Sequence, residues 1–192
     1  SQAKDGVLHL LEATRKAADL LGEHLTLHVD IVGGAHGSAD LRRAQERARS
    51  LGLESRVNFY GQVPSGSVQN ILSNSHVLAL PRPQSRQAQG GFPTKLAEYL
   101  ATGRPVLTTS VGDIPRYLSD RLDCYMTPPD DPDTMAIVLR DIALDYSTSL
   151  QIGQRGQALA QSAFSPRRVS RIITNFVGGE SGGLHENGDF NI

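Results

Sequence analysis

The sequence predicts an α/β protein built on a doubly wound parallel sheet. Short apolar segments alternate with segments whose apolar residues recur at helical spacing along most of the chain. This alternation is typical of βαβ units, and the nearly all-apolar segment 76–80 indicates a strand that is buried on both faces. The length of 192 residues and the 39% hydrophobic content fit an ordinary globular domain. We therefore expect a single domain over residues 1–177.

Periodicity and turn residues define the individual elements. Ser38 is the predicted N-cap of a helix that Gly52 ends, and Gly103 ends another helix. The predicted strands are 25–32, 57–60, 76–80, 106–109 and 124–126, and the predicted helices are 5–22, 38–51, 67–73, 92–101, 114–118, 131–145, 149–162 and 166–177.

Both ends of the chain depart from the expected pattern. A doubly wound sheet ordinarily opens with a strand, whereas here a helix begins almost at once. We therefore expect that the first strand is lacking and that the chain is a fragment of a longer protein. The Gly-rich segment 178–192 shows little periodicity, so we interpret it as a flexible tail.

Composition limits the classes of function. The 19 basic and 20 acidic side chains give a net charge of −1, so we expect no nucleic-acid partner. Cys124 is the single cysteine, which excludes an intramolecular disulfide and a multi-cysteine zinc site and favours a reducing, cytoplasmic setting. No apolar run approaches the roughly 20 residues of a membrane span. Peripheral membrane association of a longer parent protein stays open.

Residues 90–109 carry the most informative pattern. A buried strand leads through a polar loop to Gly90 and Gly91 and then into a helix, an arrangement that presents backbone N–H groups to an anion. Lys95 and Glu98 follow on one face of that helix. A lysine can bind a phosphate and a carboxylate can accept two ribose hydroxyls, which together suit a nucleoside diphosphate. Spacing alone favours the simpler interpretation that Lys95 and Glu98 pair with each other.

The segment Phe92-Pro-Thr-Lys-Leu-Ala-Glu-Tyr-Leu-Ala-Thr-Gly-Arg-Pro-Val106 resembles the nucleotide-binding signature in the C-terminal half of GT-B glycosyltransferases, especially those of family 4. Segments 57–63, 76–81 and 109–115 are similar to further parts of that half, in the same order. The run Lys4-Asp-Gly6 resembles the lysine-glycine step that opens its first helix. The resemblance covers nearly all of the expected domain.

The resemblance implies a Rossmann-like domain that binds a nucleotide-diphosphate sugar, with Glu98 on the ribose hydroxyls and Lys4 beside the donor phosphates. It also implies that Gly61 and Val63 line the base pocket. Simpler interpretations remain open: Lys4 is solvated, Gly61 permits a turn, and Val63 packs in the core. The turn that would cradle the diphosphate or the sugar, with Lys95 just beyond it, consists of Gly90, Gly91, Phe92, Pro93 and Thr94.

One position departs from the family pattern. Family-4 enzymes usually carry a glutamate beside the donor sugar where this chain has Gly90. We therefore assign no catalytic residue in this chain. Because a GT-B active site lies between two halves, the resemblance also implies an N-terminal acceptor-binding domain as partner, and we expect this chain alone to be inactive.

The leading hypothesis is a glycosyltransferase domain whose parent enzyme moves a sugar to a glycan, lipid or small acceptor, as in polysaccharide biosynthesis, without a metal or other cofactor. The alternative is a degenerate, non-catalytic nucleotide-binding or assembly domain that has kept the fold. A sugar-nucleotide epimerase with the same architecture is the third hypothesis.

Several other motifs receive a structural interpretation. The Asp-Pro-Asp run at 131–133 matches a metal motif, but we predict that it caps a helix. The glycines after Gly33 lack dinucleotide-fingerprint spacing, so we expect them to line the edge of the donor pocket or to form a turn. We interpret His76 as a hydrogen-bonded core residue and Cys124 as unreactive. His36 is kept as a candidate ligand contact.

Overall fold

The computed structural model describes residues 6–35 and 37–163. The expected helix at 166–177 and the tail at 178–192 lie outside the described residues. The elements in chain order are α1 (Val7–Leu21), β1 (Val29–Val32), α2 (Ala39–Ser50), β2 (Val57–Gly61), α3 (Ser65–Asn74), β3 (Leu78–Leu80), α4 (Arg86–Gln89), α5 (Thr94–Ala101), β4 (Val106–Thr109), α6 (Ile114–Tyr117), β5 (Tyr125–Thr127), α7 (Pro132–Leu144) and α8 (Tyr146–Ala163).

All strand pairs of the described chain are parallel, which confirms the predicted fold class. Their hydrogen bonds divide the strands into two sheets, one with the order β1-β2 and one with the order β3-β4-β5. Because helices connect parallel strands, the carboxyl ends of the strands lie at one edge of each sheet. That edge carries the loops in which the sequence places the candidate site.

The two faces of the larger sheet are covered by different helices. In β4, Val106 packs in a buried cluster with residues of α5 and α8, whereas its neighbour Leu107 packs with residues of α1 and α7. Successive side chains of a strand point to opposite faces, so this one strand contacts both helix layers. All four residues of β4, including its two threonines, are therefore buried between the two helix layers.

Helix α8 lies unusually close to the backbone of its neighbours. A Cβ atom at Gly153 would lie 2.6 Å from the carbonyl oxygen of Gly103, and one at Gly156 would lie 2.3 Å from the carbonyl oxygen of Asp123. Real Cβ atoms do not approach backbone this closely, so the two glycines set the distance at which α8 packs.

The structure corrects several expected boundaries. Strand β1 begins at Val29 rather than at residue 25. Helix α5 begins at Thr94 because Pro93, with extended backbone, occupies the N-cap position. His76 lies before β3 and is exposed, with its ring 5.2 Å from that of Tyr146, so its interpretation as a core residue is wrong. No helix in the described ranges has the length and apolar character needed to cross a bilayer.

Candidate functional site

The loop that follows β3 begins at a fixed position. Two buried threonines of β4 hold its first residues: the Thr108 hydroxyl donates to the carbonyl of Leu80 over 3.1 Å, and the Thr109 hydroxyl donates to the carbonyl of Arg82 over 2.7 Å. These hydrogen bonds satisfy polar groups that would otherwise be buried without partners. The loop therefore leaves the sheet along one defined path.

A short helix in this loop forms a platform for the loop after β4. The Ser85 hydroxyl caps α4 by accepting from the backbone N–H of Ala88 over 3.1 Å. Gly112, with φ of 58°, lies against α4 so closely that a Cβ there would be 2.6 Å from the Ala88 carbonyl oxygen. The loop after β4 thus rests directly on the loop after β3.

Gly90 and Gly91 are both exposed, but only one of them has a backbone conformation that requires glycine. Gly91 has φ of 73°, a left-handed conformation that strongly favours glycine. Gly90 has φ of −88°, and a Cβ there would lie 3.8 Å from the Gln87 carbonyl oxygen, which is ordinary contact. The turn therefore needs a glycine at position 91 and tolerates a side chain at position 90.

The next residues are held by ring packing and lead into α5. Phe92 and Tyr117 pack edge to face with ring centroids 5.4 Å apart. Pro93 is the half-buried N-cap and offers no side-chain acceptor, so the backbone N–H groups of the first turn point outward beside exposed Thr94 and Lys95. The positive end of this helix faces the turn formed by the two glycines.

Glu98 lies on the exposed side of α5, one turn after its N-terminus. Among the described residues, its carboxylate forms neither an ion pair nor a hydrogen bond. The simpler interpretation, in which Glu98 is consumed by pairing with Lys95, is therefore not realised. The carboxylate is available to accept hydrogen bonds from a bound molecule.

The other predicted contacts lie in the smaller sheet. Gly61 ends β2 with φ of 64° and accepts a hydrogen bond from the N–H of Gly33 over 2.7 Å, and Val63 is half-buried two residues further on. Gly33 and Gly34 line an opening of about 170 Å³ between β1 and β3, which Lys95 also lines. We call this opening the inter-sheet gap. Gly33 thus connects the two predicted contacts: it donates a hydrogen bond to Gly61 and lines the same opening as Lys95.

A cluster of His9, Gln84 and Asp130, which the sequence did not predict, connects three segments at the carboxyl edge of the larger sheet. Asp130, with φ of 58°, accepts a hydrogen bond from the backbone N–H of Gln84 over 3.1 Å, and its other carboxylate oxygen lies 3.4 Å from Nδ1 of His9. The cluster thus joins the loop after β3 to α1 and to the segment after β5. The only signal in the sequence is the turn-forming run Pro-Pro-Asp-Asp before α7, which gives no indication of the distant partners.

The Asp-Pro-Asp run and Cys124 have structural rather than chemical roles. Asp131 caps α7, and its hydrogen bonds from the side chain and the backbone N–H of Thr134 lower the pKa of the Asp131 carboxyl. The predicted helix cap is therefore confirmed. Burial raises the pKa of the Cys124 thiol well above its usual range, so the thiol stays protonated at neutral pH.

Two of the predicted contacts, Lys4 and His36, lie outside the described residues. Within the described ranges, no group of three or more histidine, cysteine, aspartate or glutamate side chains is arranged to hold a metal ion.

Comparison with known proteins decides the family. The model of the family described as "Glycosyl transferases group 1" matches residues 1–145. The chain belongs to this family. The D-inositol 3-phosphate glycosyltransferase of Streptomyces avermitilis is 32% identical over 146 residues, which are 73% of this chain and 30% of that enzyme. The chain thus spans about a third of the length of the curated relatives that it matches.

Solved structures of glycosyltransferases show the same fold. Anabaena HepE in complex with UDP superimposes with a TM-score of 0.78 at 18% identity, covering 93% of this chain and 46% of HepE. The C-terminal domain of the group 1 glycosyl transferase LpcC from Francisella tularensis gives a TM-score of 0.72 at 18% identity, covering 86% of this chain and 82% of that domain. This group 1 chain therefore has the Rossmann-like fold of the C-terminal half of GT-B glycosyltransferases.

Proposed function

We propose that this group 1 domain binds the nucleotide-diphosphate sugar donor of a glycosyltransferase. The observation that carries the proposal is the Glu98 carboxylate, which is exposed and unpaired among the described residues, one turn after a helix N-terminus without a side-chain cap. A hydrogen-bond acceptor beside an anion-binding helix end matches the ribose and the diphosphate of a nucleotide.

In this proposal each candidate residue has a defined role. Glu98 accepts hydrogen bonds from the ribose hydroxyls, and Lys4 and Lys95 bind the phosphates. Gly61 and Val63 line the base pocket. Backbone N–H groups stabilise the charge of the departing diphosphate, as preorganised donors do in a site without a metal. These donors are the N–H groups of Gly90, Gly91, Phe92 and Thr94, whereas Pro93 has no N–H and only shapes the turn.

Uracil is the first base to test. HepE has been crystallised with UDP and with UDP-glucose, and its fold covers 93% of this chain. We propose that the parent protein transfers its sugar to a glycan, lipid or small acceptor in the cytoplasm. Because the chain spans about a third of its curated relatives, we further propose that transfer requires an N-terminal acceptor-binding domain and that residues 1–192 alone bind donor without transferring it.

Binding of UDP, GDP and ADP, followed by NMR or calorimetry, tests the proposal. We expect one nucleotide to bind selectively and Glu98→Gln to weaken it by about tenfold or more, because the substitution removes charge-assisted hydrogen bonds. Glu23→Gln is the matched control, since Glu23 is an exposed acid just after the C-terminus of α1 and lies outside the candidate site. Equal affinity of the wild type and Glu98→Gln for the preferred nucleotide would contradict the assigned role of Glu98.

Gly90 favours one alternative, a degenerate domain that binds a nucleotide without supporting catalysis. The backbone accepts a side chain at this position, so packing does not require the glycine. Turnover of the nucleotide sugar by the longer protein distinguishes the two proposals. Donor binding without turnover, at acceptor concentrations that saturate related enzymes, would favour the degenerate domain.

A further inference from the structure

The loop after β3 is anchored at every second residue as it leaves the sheet. The carbonyls of Leu80 and Arg82 accept hydrogen bonds from threonines of β4, and the N–H of Gln84 donates to the carboxylate of Asp130 over 3.1 Å. A spacing of two residues is that of an extended chain, in which alternate residues point to the same side. Asp130 therefore continues this regular series of anchors up to the start of α4.

The backbone of Asp130 has a conformation that glycine adopts more readily. Its φ of 58° lies in the left-handed region, where a side chain is strained, although aspartate and asparagine tolerate it better than most residues. A glycine would form the same turn after β5 without strain. The turn alone therefore does not account for an aspartate at this position, whereas its carboxylate makes a specific contact with a distant loop.

The second oxygen of this carboxylate lies beside α1. It is 3.4 Å from Nδ1 of His9, a nitrogen that is shielded from solvent and forms no hydrogen bond with the described residues. His9 belongs to the first turn of α1, and Gly6 at the N-cap of this helix packs on the Pro81 backbone with no space for a side chain. Asp130 thus connects the first turn of α1 to the loop after β3 at a second point.

The proposed function requires these two elements to bind one ligand together. Lys4 lies just before α1, and the chain runs from Gln84 through Ser85 and the four residues of α4 directly to Gly90. Both Lys4 and the turn of residues 90–94 are assigned to the donor diphosphate. Groups on separate elements bind one ligand tightly only when their separation is already fixed, because ordering them on binding costs free energy.

We propose that Asp130 is a positioning residue of the donor site. Its carboxylate holds the loop after β3 at a fixed position relative to the first turn of α1, and His9 orients that carboxylate. The inference rests on the proposed function and adds to it a residue that acts through the loop rather than by touching the donor.

Two substitutions at this position separate the carboxylate from the turn. Asp130→Gly removes the acceptor and relieves the backbone strain, so the variant should remain folded. Asp130→Asn keeps an oxygen acceptor and tolerates the left-handed conformation. In NMR titrations with UDP, GDP and ADP, we expect Asp130→Gly to weaken the preferred nucleotide by about fivefold or more and Asp130→Asn to stay within about twofold of the wild type.

Arg121→Gly is the matched control. Arg121 also has φ of 58°, but it precedes β5 and so lies toward the opposite edge of the sheet from Asp130. We expect this variant to bind nucleotide as the wild type does. The amide signals of Gly90 and Gly91 give a readout without any ligand: they should shift in Asp130→Gly and stay in place in Asp130→Asn and Arg121→Gly.

A double-mutant cycle tests the role of His9. We expect His9→Ala to weaken nucleotide binding by about twofold or more in the wild-type chain and to have no further effect in the Asp130→Gly background, because His9 acts through Asp130. Equal effects of His9→Ala in both backgrounds would overturn the role of His9.

The remaining outcomes distinguish this inference from the proposed function. Equal affinity of the wild type and Asp130→Gly for the preferred nucleotide would overturn the positioning role and leave the proposed function intact. Equal weakening by Asp130→Gly and Asp130→Asn would overturn it as well, because the asparagine keeps the acceptor. A wild-type chain that binds none of the three nucleotides would overturn the proposed function and the inference together.

Discussion

Gly6 and Pro81 are in backbone contact across the carboxyl edge of the fold. Gly6 has φ of 73°, and its α carbon lies so close to Pro81 that a Cβ would be 1.7 Å from the Pro81 carbonyl oxygen. Two separate constraints therefore select glycine at the start of α1: a left-handed backbone and the lack of space for any side chain. The contact fixes the N-terminus of α1 against the loop that carries the candidate site.

Gly6→Ala separates these two constraints when it is compared with Gly52→Ala. Gly52 has a similar φ of 68°, but a Cβ there would meet nothing within 4 Å. We expect Gly52→Ala to lower the free energy of unfolding by about 1 kcal/mol through backbone strain alone. Gly6→Ala should cost a further 1–3 kcal/mol or so, because α1 must move away from Pro81. Equal losses in urea denaturation would show that the contact contributes nothing.

The glycines of α8 give a second test of close packing. We expect Gly153→Ala to lower the free energy of unfolding by about 1–3 kcal/mol, since its Cβ would lie 2.5 Å from the carbonyl carbon of Arg104. Gly66→Ala in α3 is the control, because a Cβ there meets nothing within 4 Å. Higher helix propensity should make Gly66→Ala stabilising by up to about 1 kcal/mol. A stabilising Gly153→Ala in thermal unfolding would contradict the packing of α8.

The candidate diphosphate turn predicts different responses at its two glycines. Gly90→Glu should change the free energy of unfolding by less than about 0.5 kcal/mol, since φ is −88° and the side chain reaches solvent. Gly91→Glu should cost about 1–2 kcal/mol more, because φ there is 73°. Chemical denaturation of both variants measures the difference. A large loss in Gly90→Glu would mean that the backbone, rather than function, requires this glycine.

The cap of α7 predicts a dependence of stability on pH. The hydrogen bonds of Thr134 lower the pKa of Asp131 in the folded chain below its value in the unfolded chain. The ionised cap therefore stabilises the fold fully above the unfolded pKa of about 3.9, and this contribution is lost as pH falls through the folded pKa.

Urea denaturation of the wild type and of Asp131→Asn between neutral pH and pH of about 3 measures this contribution. Asparagine keeps an N-cap acceptor but does not titrate. The wild type should therefore lose its advantage over the variant only below a pH of about 4. A difference in stability that stayed constant over the whole range would contradict the assignment.

Local chemistry made many elements predictable. The Ser38 hydroxyl accepts from the backbone N–H of Leu41 over 3.2 Å, as its predicted N-cap role requires, and β4 spans the predicted residues 106–109. The short helix α4 was not predicted, because its four residues carry no helical periodicity and its cap, Ser85, lies in a polar loop. His76 was misjudged because its apolar neighbours suggested a strand that begins two residues later.

In the candidate site, too, only the contacts between residues close in sequence were predictable. The turn at Gly90 and the helix that carries Glu98 are contiguous in sequence, so their proximity followed from the chain itself. The cluster of His9, Gln84 and Asp130 joins three distant segments, and no local pattern could indicate it.

The sequence by itself determined the order of helices and strands, because hydrophobic periodicity and capping are properties of neighbouring residues. It also placed a carboxylate one turn beyond a helix N-terminus. The tertiary structure alone decided that Glu98 has no partner among the described residues, that Gly6 and Gly153 exclude any side chain, and that two strand edges face each other across a gap. Those features arise from contacts between segments far apart in the chain, and they exist only once the layers have packed.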